Sequence, residues 1–92
     1  MEDKQLYEIY ISGYVQGVGF RWSAAREANK LGITGYVRNL SDGRVYIEAE
    51  GLPDMLRAFI SWCHRGPAGG LVESVDTELS APEGYREFLI RH

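Results

Sequence analysis

The chain has 92 residues, 45% hydrophobic and 25% charged, which suits one domain, 1–92, with a single core that needs neither a disulfide nor a metal. A net charge of −3 and a pI near 5.3 exclude a protein devoted to gripping nucleic acid or an anionic membrane surface, so any cationic site has to be local. The amino end reads Met-Glu-Asp-Lys-Gln, unlike a signal peptide, and no apolar run has membrane-spanning length, so a cytoplasmic location is expected.

Residues 6–12, Leu-Tyr-Glu-Ile-Tyr-Ile-Ser, alternate as a strand, with Tyr7, Ile9 and Ile11 on one side and Glu8, Tyr10 and Ser12 on the other. Residues 12–22, Ser-Gly-Tyr-Val-Gln-Gly-Val-Gly-Phe-Arg-Trp, then take the chain from strand end through a glycine-rich turn into a helix. Gly13, Gly17 and Gly19 allow positive φ, so the N–H groups between them can converge as a nest on an anion, and the helix start adds its unpaired N–H groups and dipole. Arg21, in the first turn, supplies a planar fork of donors suited to phosphate oxygens. Glycine spacing alone fits a structural strand–helix turn equally well; Arg21 favours the anion site. A nucleotide P-loop is excluded because no Gly-Lys-Ser or Gly-Lys-Thr follows, and the spacing does not fit G-x-G-x-x-G.

Phe20, Ala24, Ala28 and Leu31 recur at helical spacing, with Gly32 as the terminating glycine and Arg26, Glu27 and Lys30 facing water. Residues 33–51 read as a hairpin, with Val37 on one strand, Val45, Ile47 and Ala49 on the next, and Ser41-Asp42-Gly43 at the turn. Asn39 shares the Val37 side at the strand end and can look toward the mouth of the cradle. Leu52-Pro53-Asp54 opens a second helix with Leu56, Phe59 and Cys63 on its inner stripe and Gly66 at its end. Cys63, without Cys or His partners at metal-ligand spacing, reads as a small buried hydrophobe, and His64 reads as a helix C-terminal cation. After a Gly-Pro-rich connection, residues 71–79 form a fourth strand and Tyr85–Arg91 a short fifth, with Phe88 and Ile90 on one face.

The order β-α-β-β-α-β plus a short strand predicts an α+β, ferredoxin-like split βαβ sandwich: a mainly antiparallel four- to five-stranded sheet with two helices on one face and right-handed crossovers. The helix-covered face should hold Ile9, Ile11, Val37, Val45 and Ile47, leaving Glu8, Tyr10, Tyr36, Tyr46, Glu48 and Glu50 toward solvent.

Gly13-Tyr14-Val15-Gln16-Gly17-Val18-Gly19-Phe20-Arg21 resembles the G-x-V-Q-G-V-x-F-R signature of acylphosphatases. Gly35-Tyr36-Val37-Arg38-Asn39, with Gly43, Val45 and Gly51 after it, resembles a second signature of that family, and the resemblance runs over essentially the full chain. It implies a small stand-alone enzyme that hydrolyses a carboxyl–phosphate anhydride to a carboxylate and inorganic phosphate with no metal and no cofactor. It also implies that Arg21 and the loop amides of Tyr14, Val15, Gln16, Gly17, Val18, Gly19 and Phe20 bind the phosphoryl group, while Asn39 orients the attacking water. Gly19 falls at a position that varies in the family, so no catalytic side chain is expected from it.

A carboxylate with an acid pKa of about 4 leaves without a general acid, so positioning and charge stabilisation suffice. This accords with a sequence that offers no carboxylate pair, no His-rich cluster and no HExxH, and in which Asp42, Asp54 and Asp76 are scattered. The expected partners are a small-molecule acyl phosphate and, as product-like ligands, inorganic phosphate or sulfate; no nucleic acid or membrane partner is expected, and a monomer is. His92 is terminal, and its carboxylate reaches Arg21 only if the last strand ends near the cradle. Two other readings are a single-stranded RNA-binding module stacking bases on Tyr10 and Tyr46, opposed by Glu8, Glu48 and Glu50 on that face, and a non-catalytic anion sensor or stand-alone relative of the acylphosphatase-like domains attached to larger carbamoyl-transfer proteins. The chain's end at His92 favours an independent hydrolase.

Overall fold

The computed structural model describes residues 3–92. In chain order it contains β1 (Gln5–Tyr14), α1 (Phe20–Lys30), β2 (Thr34–Asn39), β3 (Val45–Gly51), α2 (Pro53–Arg65), β4 (Leu71–Ser80) and β5 (Phe88–Ile90). The strands form one sheet in the order β4-β1-β3-β2-β5. All neighbours are antiparallel except β2 and β5, which are parallel, so the expected ferredoxin-like arrangement stands with its extra strand on the β2 edge.

Period-two alternation places Ile9, Ile11, Val37, Val45, Ile47 and Ala49 in one core with Phe20, Ala24 and Ala28 of α1 and Leu56, Phe59 and Cys63 of α2. Trp62, which the reading of the α2 stripe omitted, belongs to it too: its ring stacks on Phe59 at 6.1 Å and tilts against Phe20 at 5.4 Å. It occupies the helical i+3 position from Phe59, the same face. The Cys63 thiol is buried, and burial pushes its pKa up, which keeps it protonated and inert.

Gly13 is required by close approach. It lies where the β1–β4 register shifts, has φ 130°, and a Cβ there would collide with the Leu71 carbonyl and lie 2.8 Å from the Glu73 amide. This bulge lets β1 continue to Tyr14, two residues beyond the predicted end, and delivers the chain to the loop before α1.

The second face of the sheet corrects an expectation. Tyr36, Tyr46 and Glu50, predicted to face solvent, are buried: the chain between β4 and β5 crosses Glu50 and Tyr36, and Tyr46 is covered by Tyr10, Tyr36 and Arg38. The Glu50 carboxylate, 3% exposed, accepts backbone N–H bonds from Glu83, Gly84 and Tyr85 at 3.0–3.3 Å. Glu48 accepts hydroxyl bonds from Tyr36 at 3.1 Å, Tyr46 at 2.6 Å and Tyr85 at 2.5 Å. Tyr46 also packs against Tyr10 and Tyr36, with Arg38 over its ring, so its π-face is already in use. That removes half of the platform the RNA-binding reading relied on.

Candidate active site

The site is the junction between β1 and α1, closed from the side by the ends of β2 and β5. Val15 and Phe20 anchor the loop's two ends by burying their side chains in the core, which leaves the backbone between them at the surface. Gly17 and Gly19 both have left-handed φ, 76° and 77°, the kind of backbone in which successive N–H groups can converge on an anion. Gly19 is also the N-cap of α1 and offers no side-chain acceptor, and the first turn contains no acidic residue. The first helical bond runs from the Ser23 N–H to the Gly19 carbonyl at 3.0 Å, so the amides of Phe20, Arg21 and Trp22 have no intrahelical acceptor. An uncapped, positively polarised helix end is what an incoming anion would complete.

A pocket of about 200 Å³ opens at this point, lined by Val15, Gly17, Gly19, Phe20, Arg21, Trp22, Asn39 and Ile90. Arg21 and Asn39, 18 residues apart in sequence, therefore share one concavity, and the period-two placement of Asn39 at the end of β2 holds. Of the residues expected to hold phosphate, Tyr14, Gln16 and Val18 do not line the pocket. Tyr14 ends β1 with its ring exposed, and Val18 packs at the edge of the core.

The Gln16 side chain has a use that the sequence reading missed. Its Nε2 donates to the carbonyls of Leu40 at 2.8 Å and Arg44 at 2.9 Å, tying the loop to the β2–β3 turn directly beyond Asn39. A polar side chain between two core-directed valines was the available signal, but its partners lie 24 and 28 residues away.

Arg21 is steadied by the C-terminal strand. The Arg91 N–H bonds the Val37 carbonyl at 2.8 Å, extending the β5–β2 pairing, and the Arg91 carbonyl accepts from Arg21 Nη1 at 3.1 Å. The same Nη1 lies 3.1 Å from His92 Nδ1, so it is the ring of His92 that meets the guanidinium. Neither His64, exposed in the last turn of α2, nor Cys63 lies at the pocket. Among the described residues no group of three or more His, Cys, Asp or Glu is placed to hold a metal ion, and no helix is long and apolar enough to cross a membrane.

A family model described as Acylphosphatase matches residues 7–90. An acylphosphatase of Nostoc sp. is 46% identical over 83 residues, covering 90% of this chain and 82% of its own length. One of Thermococcus kodakarensis is 50% identical over 80 residues, covering 87% and 88%. Among solved structures, the acylphosphatase of Bacillus subtilis has a TM-score of 0.94 at 37% identity and covers 96% of this chain and 99% of its own.

Proposed function

The chain belongs to the acylphosphatase family and is a hydrolase of that kind, and we propose that it cleaves the P–O bond of a small acyl phosphate by in-line attack of water held at Asn39. The observation that carries this reading is the shared pocket, in which an uncapped helix start, Arg21 and Asn39 face one space.

The phosphoryl group sits among the loop amides and the amides of the first turn of α1, with the Arg21 guanidinium bridging two of its oxygens. These donors offset charge on the equatorial oxygens as the transition state forms, in a place fixed before substrate arrives. The Asn39 carboxamide orients the water. The new bond forms from water oxygen to phosphorus, and the bond from phosphorus to the acyl oxygen breaks with its electrons leaving on the carboxylate. A substrate oxygen takes the water's proton, because a neutral amide is too weak a base. The products are the carboxylate and inorganic phosphate. No group in this scheme needs a metal or cofactor, and product phosphate, or sulfate, would occupy the same cradle.

The test is hydrolysis of benzoyl phosphate in the presence of a chelator, run beside Arg21→Lys. The lysine keeps the charge and loses the fork, so turnover should fall severely, with KM raised as well. Wild-type kinetics in that variant would remove Arg21 from the site, and absence of turnover in the native chain would overturn the hydrolase reading.

A further inference from the structure

A second concavity adjoins the phosphate pocket and is not used by the mechanism above. It has a volume of about 580 Å³ and is lined by Trp22, Ala25, Arg26, Asn29, Lys30 and Ile90. Trp22 and Ile90 belong to both concavities, so their side chains form the wall that joins them. We propose that this groove holds the acyl part of the substrate and selects acyl groups with an aromatic or apolar body that end in an anionic group. This deepens the hydrolase reading and rests on it.

Trp22 is 62% exposed and Ile90 37% exposed, although both are large and apolar, and they face the same groove. An exposed indole beside a site for small molecules is a stacking surface for a planar or apolar group. The residues beyond it follow from the helix. At about 1.5 Å of rise per residue, Arg26 stands about 6 Å and Lys30 about 12 Å along α1 from Trp22. A substrate whose phosphoryl group lies at Arg21 would pass its acyl body over Trp22 and place the far end beside these cations.

Arg26 already lies against the indole, its guanidinium carbon 5.6 Å from the ring centroid, so its charge is carried at the aromatic surface. Lys30 lies 3.8 Å from Glu27, a long contact in which Lys30 is 61% exposed and Glu27 half-buried, so the pair is weak and leaves most of the ammonium to the groove and solvent. Among the described residues no carboxylate lines the groove, in a chain whose net charge is −3. Two cations and the Asn29 amide therefore bound the far end of a groove whose near end is apolar. Electrostatic complementarity favours an anion there and disfavours a cation.

The experiment compares kcat/KM for acetyl, benzoyl and 4-carboxybenzoyl phosphate, each corrected for its spontaneous hydrolysis, in the native chain and in the Arg26→Gln/Lys30→Gln double variant. The native chain should prefer 4-carboxybenzoyl over benzoyl phosphate by about three- to tenfold, the scale of partly exposed charge pairs, and the preference should shrink with added salt. The double variant should bring that ratio close to one. Trp22→Ala should lower the ratio of benzoyl to acetyl phosphate through KM. Equal kcat/KM for the two benzoyl compounds in the native chain, or a preference that survives in the double variant, would overturn the proposal while leaving the hydrolase reading intact. Failure to turn over any of the three would overturn both.

Discussion

Gln16 and Asn39 show how much of the chemistry depends on parts of the chain far apart in sequence. Asn39 ends β2, and Gln16 grips the two carbonyls that flank the turn after it, so the loop that would hold phosphorus and the strand that would hold water are joined by one side chain. Asn39→Ala should leave inhibition by phosphate nearly unchanged and reduce kcat by about 10² or more, in line with loss of one oriented polar group; an unchanged kcat at saturating benzoyl phosphate would contradict its role. Gln16→Ala, by contrast, should cost about 1–3 kcal/mol of stability for the two lost hydrogen bonds. Because it lets the two halves of the site drift apart, kcat should also fall about ten- to a hundredfold, with KM changed less. A full kcat in the folded variant would make Gln16 structural only. The two sequence signatures single out Arg21 and Asn39, and the fold brings both to one concavity. The Gln16 clamp was not legible in the sequence, since its acceptors are backbone atoms that no residue identity announces.

At the scale of elements, the decisive junction is the entry to α1. Glycine spacing and the apolar run from Phe20 located it, and Gly32, at φ 68°, stands just past the helix as expected. What spacing could not convey is that Gly19 is itself the N-cap in a left-handed conformation with open space around its Cα. Gly19→Ala therefore meets no clash, and its cost is conformational, about 1–2 kcal/mol. Relief of that strain would turn amides away from the pocket. We expect a lower Tm and weaker competitive inhibition by inorganic phosphate; unchanged inhibition would show that the loop amides do not define the anion site. The end strands were read less well. The sequence predicts a strand over Tyr85–Arg91, whereas β5 is Phe88–Ile90 with one further backbone bond to β2 at each of Glu87 and Arg91, because Glu83, Gly84 and Tyr85 are drawn across the sheet to Glu50.

Across the whole molecule, the two faces of the sheet are built differently. The helix side was legible because period-two and period-3.6 patterns converge on one apolar core. The other side is less legible because the segment between β4 and β5 has no periodicity; its backbone N–H groups bind Glu50 and its Tyr85 ring packs on Tyr36, while the Tyr36 and Tyr46 hydroxyls are satisfied within the sheet by Glu48. This polar cluster makes stability depend on pH in a definite way. Burial pushes the Glu48 carboxyl up, but the hydroxyls of Tyr46, Tyr85 and Tyr36 outweigh it and hold its pKa below the ordinary 4.5. Its stabilisation is therefore complete above about that pH and is lost as pH falls through the lowered value. Tyr46, Tyr85 and Tyr36 are raised above the ordinary 10.0, by burial first and then by Glu48, so their share is present below pH 10 and lost above it. Urea unfolding across pH should show both limbs, and Glu48→Gln should flatten the acid one; an acid limb identical in that variant would contradict the assignment. Absorbance at 295 nm should show three of the six tyrosines ionising late.

The most direct test of the central claim follows the oxygen atom. Benzoyl phosphate hydrolysed by the native chain in ¹⁸O-water with a chelator present should place the label in inorganic phosphate, because water attacks phosphorus inside the Arg21 and amide cradle. Label recovered in benzoate would mean attack at the carbonyl carbon and would contradict the account.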